Sequence, residues 1–345
     1  MRVGTDCSGI EAPIRALDNM NIPFHHVFAS DIDPKVRKTI RSNFASDHLY
    51  LDVTLRDPKK TPPGDLYVAG FPCQPFSYAG KRQGFDDDKG RGHIFHHIAE
   101  YIDAQRPRVF ILGNVKGLSD IDNGQTLRSV MKRLRTIGTS QTSRATTTKE
   151  SLYYGAYDVV HKILNTKDNG LPQNRPRWYC VGILRSNRKQ FYKEEFAFPQ
   201  EIDMKPIDTV LENNAGDHIS LDEAIYNESP TARENIIRAH AKIIAEGGDP
   251  DKDTYIIDCD ASSEKMGYAK GFSPCITRSR ARGHWISSQK RRMTLDEMMK
   301  LQGFDPRRMI RGDTVTDYQL GQQLGNAMSV KSWKESCTKS SEQST

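Results

Sequence analysis

Short apolar runs alternate with amphipathic stretches through the first 184 residues, and that alternation constrains the fold more than any other feature of the chain. The runs Met1–Thr5, His26–Ser30, Leu66–Gly70, Val109–Leu112 and Trp178–Leu184 have the length of strands. Between them, Glu11–Asn19, Pro34–Asn43, Gly92–Gln105 and Thr126–Leu134 place apolar residues at helical spacing. The pattern predicts an α/β domain. From about Arg185 charge rises and strands lose definition, and Glu246-Gly247-Gly248-Asp249-Pro250 is a break. A second, less regular region is expected there. Further on, Thr294–Gln302 reads as a helix capped by Thr294, with Glu297 at the capping-box position. The segment Thr139–Thr148 reads as a surface loop, and Ser336–Thr345 as a polar, frayed tail.

A chain of 345 residues, 36% of them hydrophobic, can bury a sizeable core in one large domain or two unequal ones. No apolar run approaches the roughly 20 residues that span a bilayer. The start MRVGTDCSGIEAP lacks the layout of a secretory signal, so an intracellular protein with no membrane partner is expected. The six cysteines are scattered without a CxxC pair, which predicts neither a metal site nor a disulfide framework. The net charge of +6 is modest but uneven. Arg278, Arg280, Arg282, His284, Lys290, Arg291 and Arg292 crowd one short segment beside Trp285, a pattern that suits a phosphate backbone or a solvated basic loop.

The first strand runs into DCSGIEAP, a glycine turn opening a helix, which is how a doubly wound sheet offers helix N-terminal N–H groups to a cofactor. Asp31 ends the second strand where an acid can accept both hydroxyls of a ribose, and Asp52 follows the next apolar step. Each acid is equally readable as a helix cap, as is Asp33 before Pro34. In GFPCQPFS, Gly70 to Ser77, Cys73 stands between two prolines directly after a strand, so its direction is nearly fixed. Such a thiol becomes a nucleophile where a helix N-terminus or an arginine favours the thiolate; otherwise it is an inert buried cysteine.

These segments resemble, in order, those of the DNA (cytosine-5) methyltransferases. DCSGIEAP is similar to the cofactor turn, ASDID to the ribose-binding acid, GFPCQPFS to the nucleophile loop and DDKGRGHIFHHI to the helix after it. QNRPRWYCVG resembles the paired-arginine strand, RRMTLDEMMKLQGF the late helix and QLGNAMSV the terminal cofactor motif. The resemblance covers nearly the whole chain. It implies a Rossmann-like class I S-adenosylmethionine methyltransferase with a mostly parallel doubly wound sheet over residues 1–184. A smaller irregular target-recognition domain would span 185–290, and 291–335 would complete the catalytic domain. Its cofactor is S-adenosylmethionine, its partner double-stranded DNA, and a metal-free monomer is expected.

Carried over by position, the resemblance implies a cofactor site of Asp6, Cys7, Ser8, Gly9, Ile10, Glu11, Asp31, Ile32, Asp52, Val53, Pro72, Asn326, Ala327 and Ser329. Catalysis would involve Cys73, Arg175, Arg177 and the Gly113-Asn114 pair, with Gln74, Ser77, Thr277, Arg278, Arg280 and Arg282 toward DNA. C5 of cytosine is a weak nucleophile until a thiolate adds to C6, and charge then builds at N3 and O2. An acid near N3 and a cation near O2 lower that barrier, and the base must first be flipped from the stack. Arg177 resembles the cation, and the loop Gln83–Arg91 would close over the base.

Three positions depart from the family pattern. Cys7 replaces a common aromatic residue, and Glu11 replaces a usual second glycine. In FILGNVKGL, Gly113 occupies the place of the glutamate that contacts N3. Three readings follow: an active DNA methyltransferase, a DNA-binding homologue crippled at Gly113, and a tRNA methyltransferase of the same fold. The last lacks its typical CFT signature, for which CITRS at Cys275 is a partial echo. Which bases the region 185–290 reads is not encoded in any recognisable motif.

Overall fold

The computed structural model describes residues 1–72, 93–139, 155–185, 196–213, 219–311 and 315–330. Cys73, Gln74, Ser77, the loop 83–91, most of the predicted loop 139–148 and the tail 336–345 lie outside them. The chain divides into two compact units: Met1–Leu164 with Pro176–Pro199, and Asn165–Arg175 with Gln200–Thr345.

The first unit is built on a seven-stranded sheet. Its strands are β1 (Arg2–Asp6), β2 (His25–Ser30), β3 (His48–Tyr50), β4 (Leu66–Ala69), β5 (Val109–Val115), β6 (Tyr157–Asn165) and β7 (Pro176–Leu184). Their order is β3-β2-β1-β4-β5-β7-β6. β3, β2, β1, β4 and β5 run parallel, and β7 returns antiparallel to β5. The helices are α1 (Ala12–Asn19), α2 (Pro34–Asn43), α3 (Ile94–Gln105) and α4 (Gln125–Arg135). α3 and α4 bury Phe95, Ile98, Tyr101, Val130 and Leu134 against Tyr67, Phe110, Leu112, Trp178 and Cys180. Ala29 of β2 instead packs against Val36 and Ile40 of α2. Strands covered in this way read as continuous apolar runs.

Asp6 pairs with both Ser30 and Ala69, Ser30 with Tyr50, and Ala69 with Leu112. The turns after β1, β2, β3 and β4 therefore leave the sheet at one level. Strand order reverses between β1 and β4, and the crevice at such a switch point is where doubly wound sheets bind ligands.

The second unit holds a small antiparallel sheet of β8 (Tyr255–Ile257), β9 (Tyr268–Lys270), β10 (Trp285–Ile286) and β11 (Arg291–Arg292), in the order β11-β10-β8-β9. It also holds α5 (Leu221–Ala224), α6 (Pro230–Ala245), α7 (Leu295–Leu301) and α8 (Asp317–Asn326). Ser229 caps α6 ahead of Pro230 at its first turn. Ala232, Ile236 and Ala239 of α6 meet Ile257, Cys259 and Trp285 in a core of their own. Thr294 and Glu297 form the predicted capping box on α7, and Thr316 with Gln319 forms a second on α8. Among the described residues, no helix is long and apolar enough to cross a membrane.

Candidate active site

The turn after β1 holds three residues in the left-handed region within five positions. Cys7, Gly9 and Glu11 take φ of 50°, 62° and 54°. Left-handed geometry at every second residue turns successive N–H groups toward one side, a nest for an anion. For a residue with a Cβ it costs about 1–2 kcal/mol, which is why glycine is usual there. Glu11 offsets that cost within the turn. It is fully buried, and its Oε1 accepts hydrogen bonds from Thr5 Oγ1 (2.8 Å) and Ser8 Oγ (2.6 Å). Burial pushes its carboxyl up to about 8, so it is protonated at neutral pH. Its Oε2 is buried without a partner.

Asp31 and Ile32 follow β2. Asp33 N–H donates to Asp31 Oδ1 (2.9 Å), and Arg37 of α2 holds the segment by donating to the carbonyls of Asp31 (2.7 Å) and Ile32 (2.8 Å). Burial raises the Asp31 carboxyl to about 6, against the lowering influence of the Asp33 amide. Ile32 projects an apolar side chain 73% exposed at the lip of the sheet. Asp52 accepts from Thr54 N–H (2.8 Å), capping the short turn that buries Val53, while Asp33 caps α2.

Asp6 serves another purpose. Its carboxylate receives Arg56 through both guanidinium nitrogens (2.7 and 2.5 Å), Ser30 Oγ (2.6 Å) and Tyr67 OH (2.6 Å), all buried. Four donors use its lone pairs, so Asp6 ties β1, β2 and β4 together beneath the turn instead of facing a ligand. Neither Arg56 nor Tyr67 carries a motif signal, because the partners stand 50 and 61 residues from Asp6.

On β5, Gly113 pairs with Tyr179 and Val115 with Arg177. Residues opposite one another in an antiparallel pair share a face, so Gly113, Arg177 and Tyr179 lie together at the carboxyl end of β5. The φ of Gly113 is not in the left-handed range, so its backbone does not require glycine. Asn114, on the other face, donates to the Phe71 carbonyl (3.3 Å) and accepts from Val115 N–H (2.8 Å). It thereby fixes Phe71, the residue just before Pro72.

Arg175 belongs to the second unit and is buried. Its guanidinium donates to the Ile276, Gly325 and Ala327 carbonyls. The basic segment is also largely committed internally. Arg280 pairs with Asp258, Lys290 with Asp251, Arg291 with buried Glu297, and Arg292 with both Glu228 and Asp260. His284 is buried near Asp258, and burial lowers its pKa. Arg278 and Arg282 remain exposed and Thr277 half-buried. Arg280, expected at a phosphate, is thus held on the domain's own acid. Asn326 is exposed at the end of α8, while Ala327 and Ser329 are buried and Ser329 Oγ has no partner.

The sheet order, the antiparallel β7 and the turn after β1 define a Rossmann-like α/β fold of the methyltransferase type. The structure of the Entamoeba histolytica methyltransferase EhMeth shares this fold with a TM-score of 0.64, covering 97% of this chain and 96% of its own at 17% identity. Residues 5–340 match the family of C-5 cytosine-specific DNA methylases, and the chain belongs to that family. The Type II methyltransferase M.NgoBI of Neisseria gonorrhoeae is 34% identical over 283 residues, 81% of this chain and 75% of its own length. M.SsoII of Shigella sonnei is 32% identical over 305 residues, 88% of this chain and 70% of its own.

Proposed function

We propose that this chain methylates C5 of cytosine in duplex DNA with S-adenosylmethionine as donor, slowly, because Gly113 stands where an acid would serve N3. The observation that supports this reading is the shared face of Gly113 and Arg177 at the ends of adjacent strands. Arg177 suits the O2 side of a base, and among the described residues of that face Gly113 offers no side chain for N3.

The residues after β1, β2 and β3 fit the cofactor. The left-handed turn at Cys7, Gly9 and Glu11 suits a carboxylate, Asp31 suits ribose hydroxyls, and exposed Ile32 suits the face of a purine. By the same resemblance, Asn326, Ala327 and Ser329 are proposed as further residues that bind S-adenosylmethionine. When bound, S-adenosylmethionine supplies an electrophilic methyl group. Cys73, whose role rests on its motif, adds to C6 as the thiolate and makes C5 nucleophilic. Arg177 stabilises the negative charge that develops on O2, and Asn114 holds the Phe71 carbonyl two residues before Cys73. Exposed Arg278 and Arg282 face the phosphates. The Type II relatives suggest a restriction-modification setting.

A missing general acid typically costs about 10²- to 10⁴-fold in rate. Gly113→Glu is therefore expected to raise the single-turnover rate of methyl transfer from labelled S-adenosylmethionine by at least about 100-fold, with DNA affinity little changed. Equal rates for the two forms would remove Gly113 from the N3 position.

A further inference from the structure

Gln173 and Arg175 are almost fully buried and knit three distant stretches of the second unit. Ser273 N–H donates to the Pro172 carbonyl (2.8 Å), and Asn174 N–H to the Ser273 carbonyl (2.9 Å). Gln173 Nε2 donates to the Leu301 carbonyl (3.0 Å), while its Oε1 accepts from Ile276 N–H (3.1 Å). Arg175 Nη1 reaches the Ile276 carbonyl (2.5 Å) and Cys275 Sγ (3.2 Å). Its Nη2 reaches the carbonyls of Gly325 (3.0 Å) and Ala327 (2.6 Å). The last two belong to the C-terminal turn of α8, where carbonyls lack helical partners and the helix dipole favours a cation. α8 lies directly on the same segment: a Cβ on Gly321 would come 2.2 Å from the Ala281 carbonyl oxygen, and one on Gly325 2.2 Å from the Thr277 carbonyl carbon.

One planar guanidinium thus grips the residue before Thr277-Arg278 with one nitrogen and the residues around Asn326 with the other. We infer that Arg175 is a positioning residue that couples the DNA-side segment Thr277–Arg278 to the cofactor-side segment Asn326–Ser329, so that each ligand tightens binding of the other. This rests on the assignment of those two segments to DNA and S-adenosylmethionine proposed above. A lysine cannot replace Arg175, because a single ammonium lacks the fork that spans the Ile276 carbonyl and those at the end of α8.

The test is duplex-DNA affinity of the full chain by fluorescence anisotropy, with and without saturating S-adenosylhomocysteine, for the native chain and Arg175→Lys. Couplings of this kind are typically about 5- to 150-fold. The native chain is expected to fall in that range, and Arg175→Lys to bring the ratio within about twofold of one. Native coupling that survives Arg175→Lys, or a native ratio near one, overturns the inference and leaves the assignment of the sites standing. A native chain that binds neither ligand overturns the assignment itself. Should Arg175→Lys fail to fold, hydrogen exchange on the native chain decides. S-adenosylhomocysteine alone should slow the amides of residues 276–281, and unchanged exchange there refutes the coupling.

Discussion

Replacing Glu11 with Gln should abolish a pH dependence of stability that the native chain shows between pH 6.5 and 8. Burial raises the Glu11 carboxyl from 4.5 to about 8, so across that interval the folded chain holds a proton that the unfolded chain has released. Stability then falls as pH rises, by roughly 1.4 kcal/mol per pH unit. His26 opposes this below pH 6.5. Its Nε2 lies 3.1 Å from Thr5 Oγ1, and burial lowers its pKa from 6.5 to about 4. The unfolded chain therefore holds the extra proton between those values, and stability rises with pH there. His96, His161, His240 and His284 are shifted in the same direction and act below 6.5 as well. Asp31, raised from 3.8 to about 6, adds its fall below pH 6.

Above 6.5, Glu11 is the dominant contributor among these groups. Because the folded carboxyl is itself half ionised at pH 8, its proton is worth about 1.6 kcal/mol from 6.5 to 8. Gln keeps the acceptor for Thr5 and Ser8 but does not titrate. Urea unfolding of both chains at pH 6.5 and pH 8 measures the difference, in which every shared group cancels. The native chain should lose about 1.6 kcal/mol more than Glu11→Gln over the interval. Parallel losses in the two chains would refute the buried, protonated acid.

Asp31→Ala should weaken S-adenosylmethionine binding by about 1.5–3 kcal/mol in calorimetry. With Asp31 intact, affinity should fall as pH is lowered through about 6, where the carboxylate takes up a proton; a flat profile would leave Asp31 a structural cap. Arg278→Ala with Arg282→Ala should flatten the salt dependence of DNA binding by about one unit of slope per lost phosphate contact. Arg280→Ala should leave that slope unchanged and lower the melting temperature, since its partner is Asp258. Asp6→Asn should destabilise the chain by about 3–5 kcal/mol in denaturant melts, because Arg56 would keep a buried charge without its counter-ion.

The sequence made β1, β2, β4, β5 and β7 legible because burial on both faces leaves an unbroken apolar run. β3 is a three-residue edge strand, and β6 is interrupted by Asp158, His161 and Lys162, so neither offered such a run. α6 went unread although Ser229-Pro230 is a capping signal and Ala232, Ile236, Ala239 and Ile243 repeat at helical spacing. Its surroundings lack the strand and helix alternation that gave the first region its frame. Within the site, Asp31 and the turn at Gly9 stand out locally. The use of Asp6 depends on Arg56, fifty residues away, and no local pattern encodes it. The two arginines of QNRPR look equivalent on paper. Pro176 begins β7, so Arg177 enters the sheet while Arg175 stays with the backbone of the other unit.

Under the proposal that Gly113 leaves N3 without an acid, Glu11 is not a substitute for it, because its surroundings exclude it from that work. A general acid must reach the base and release its proton there. Glu11 is fully buried, and its Oε1 is held by Thr5 and Ser8 within the turn that it caps. It sits in the turn between β1 and α1, bonded back to Thr5 of β1, and β4 stands between β1 and β5. Two strand spacings amount to roughly 9–10 Å. Leaving its hydrogen bonds to cross that gap would also empty the left-handed turn of the contacts that offset its strain. Glu11 and Gly113 therefore act independently: Glu11 stabilises the left-handed turn after β1, and Gly113 leaves the face that carries Arg177 without a side chain at that position.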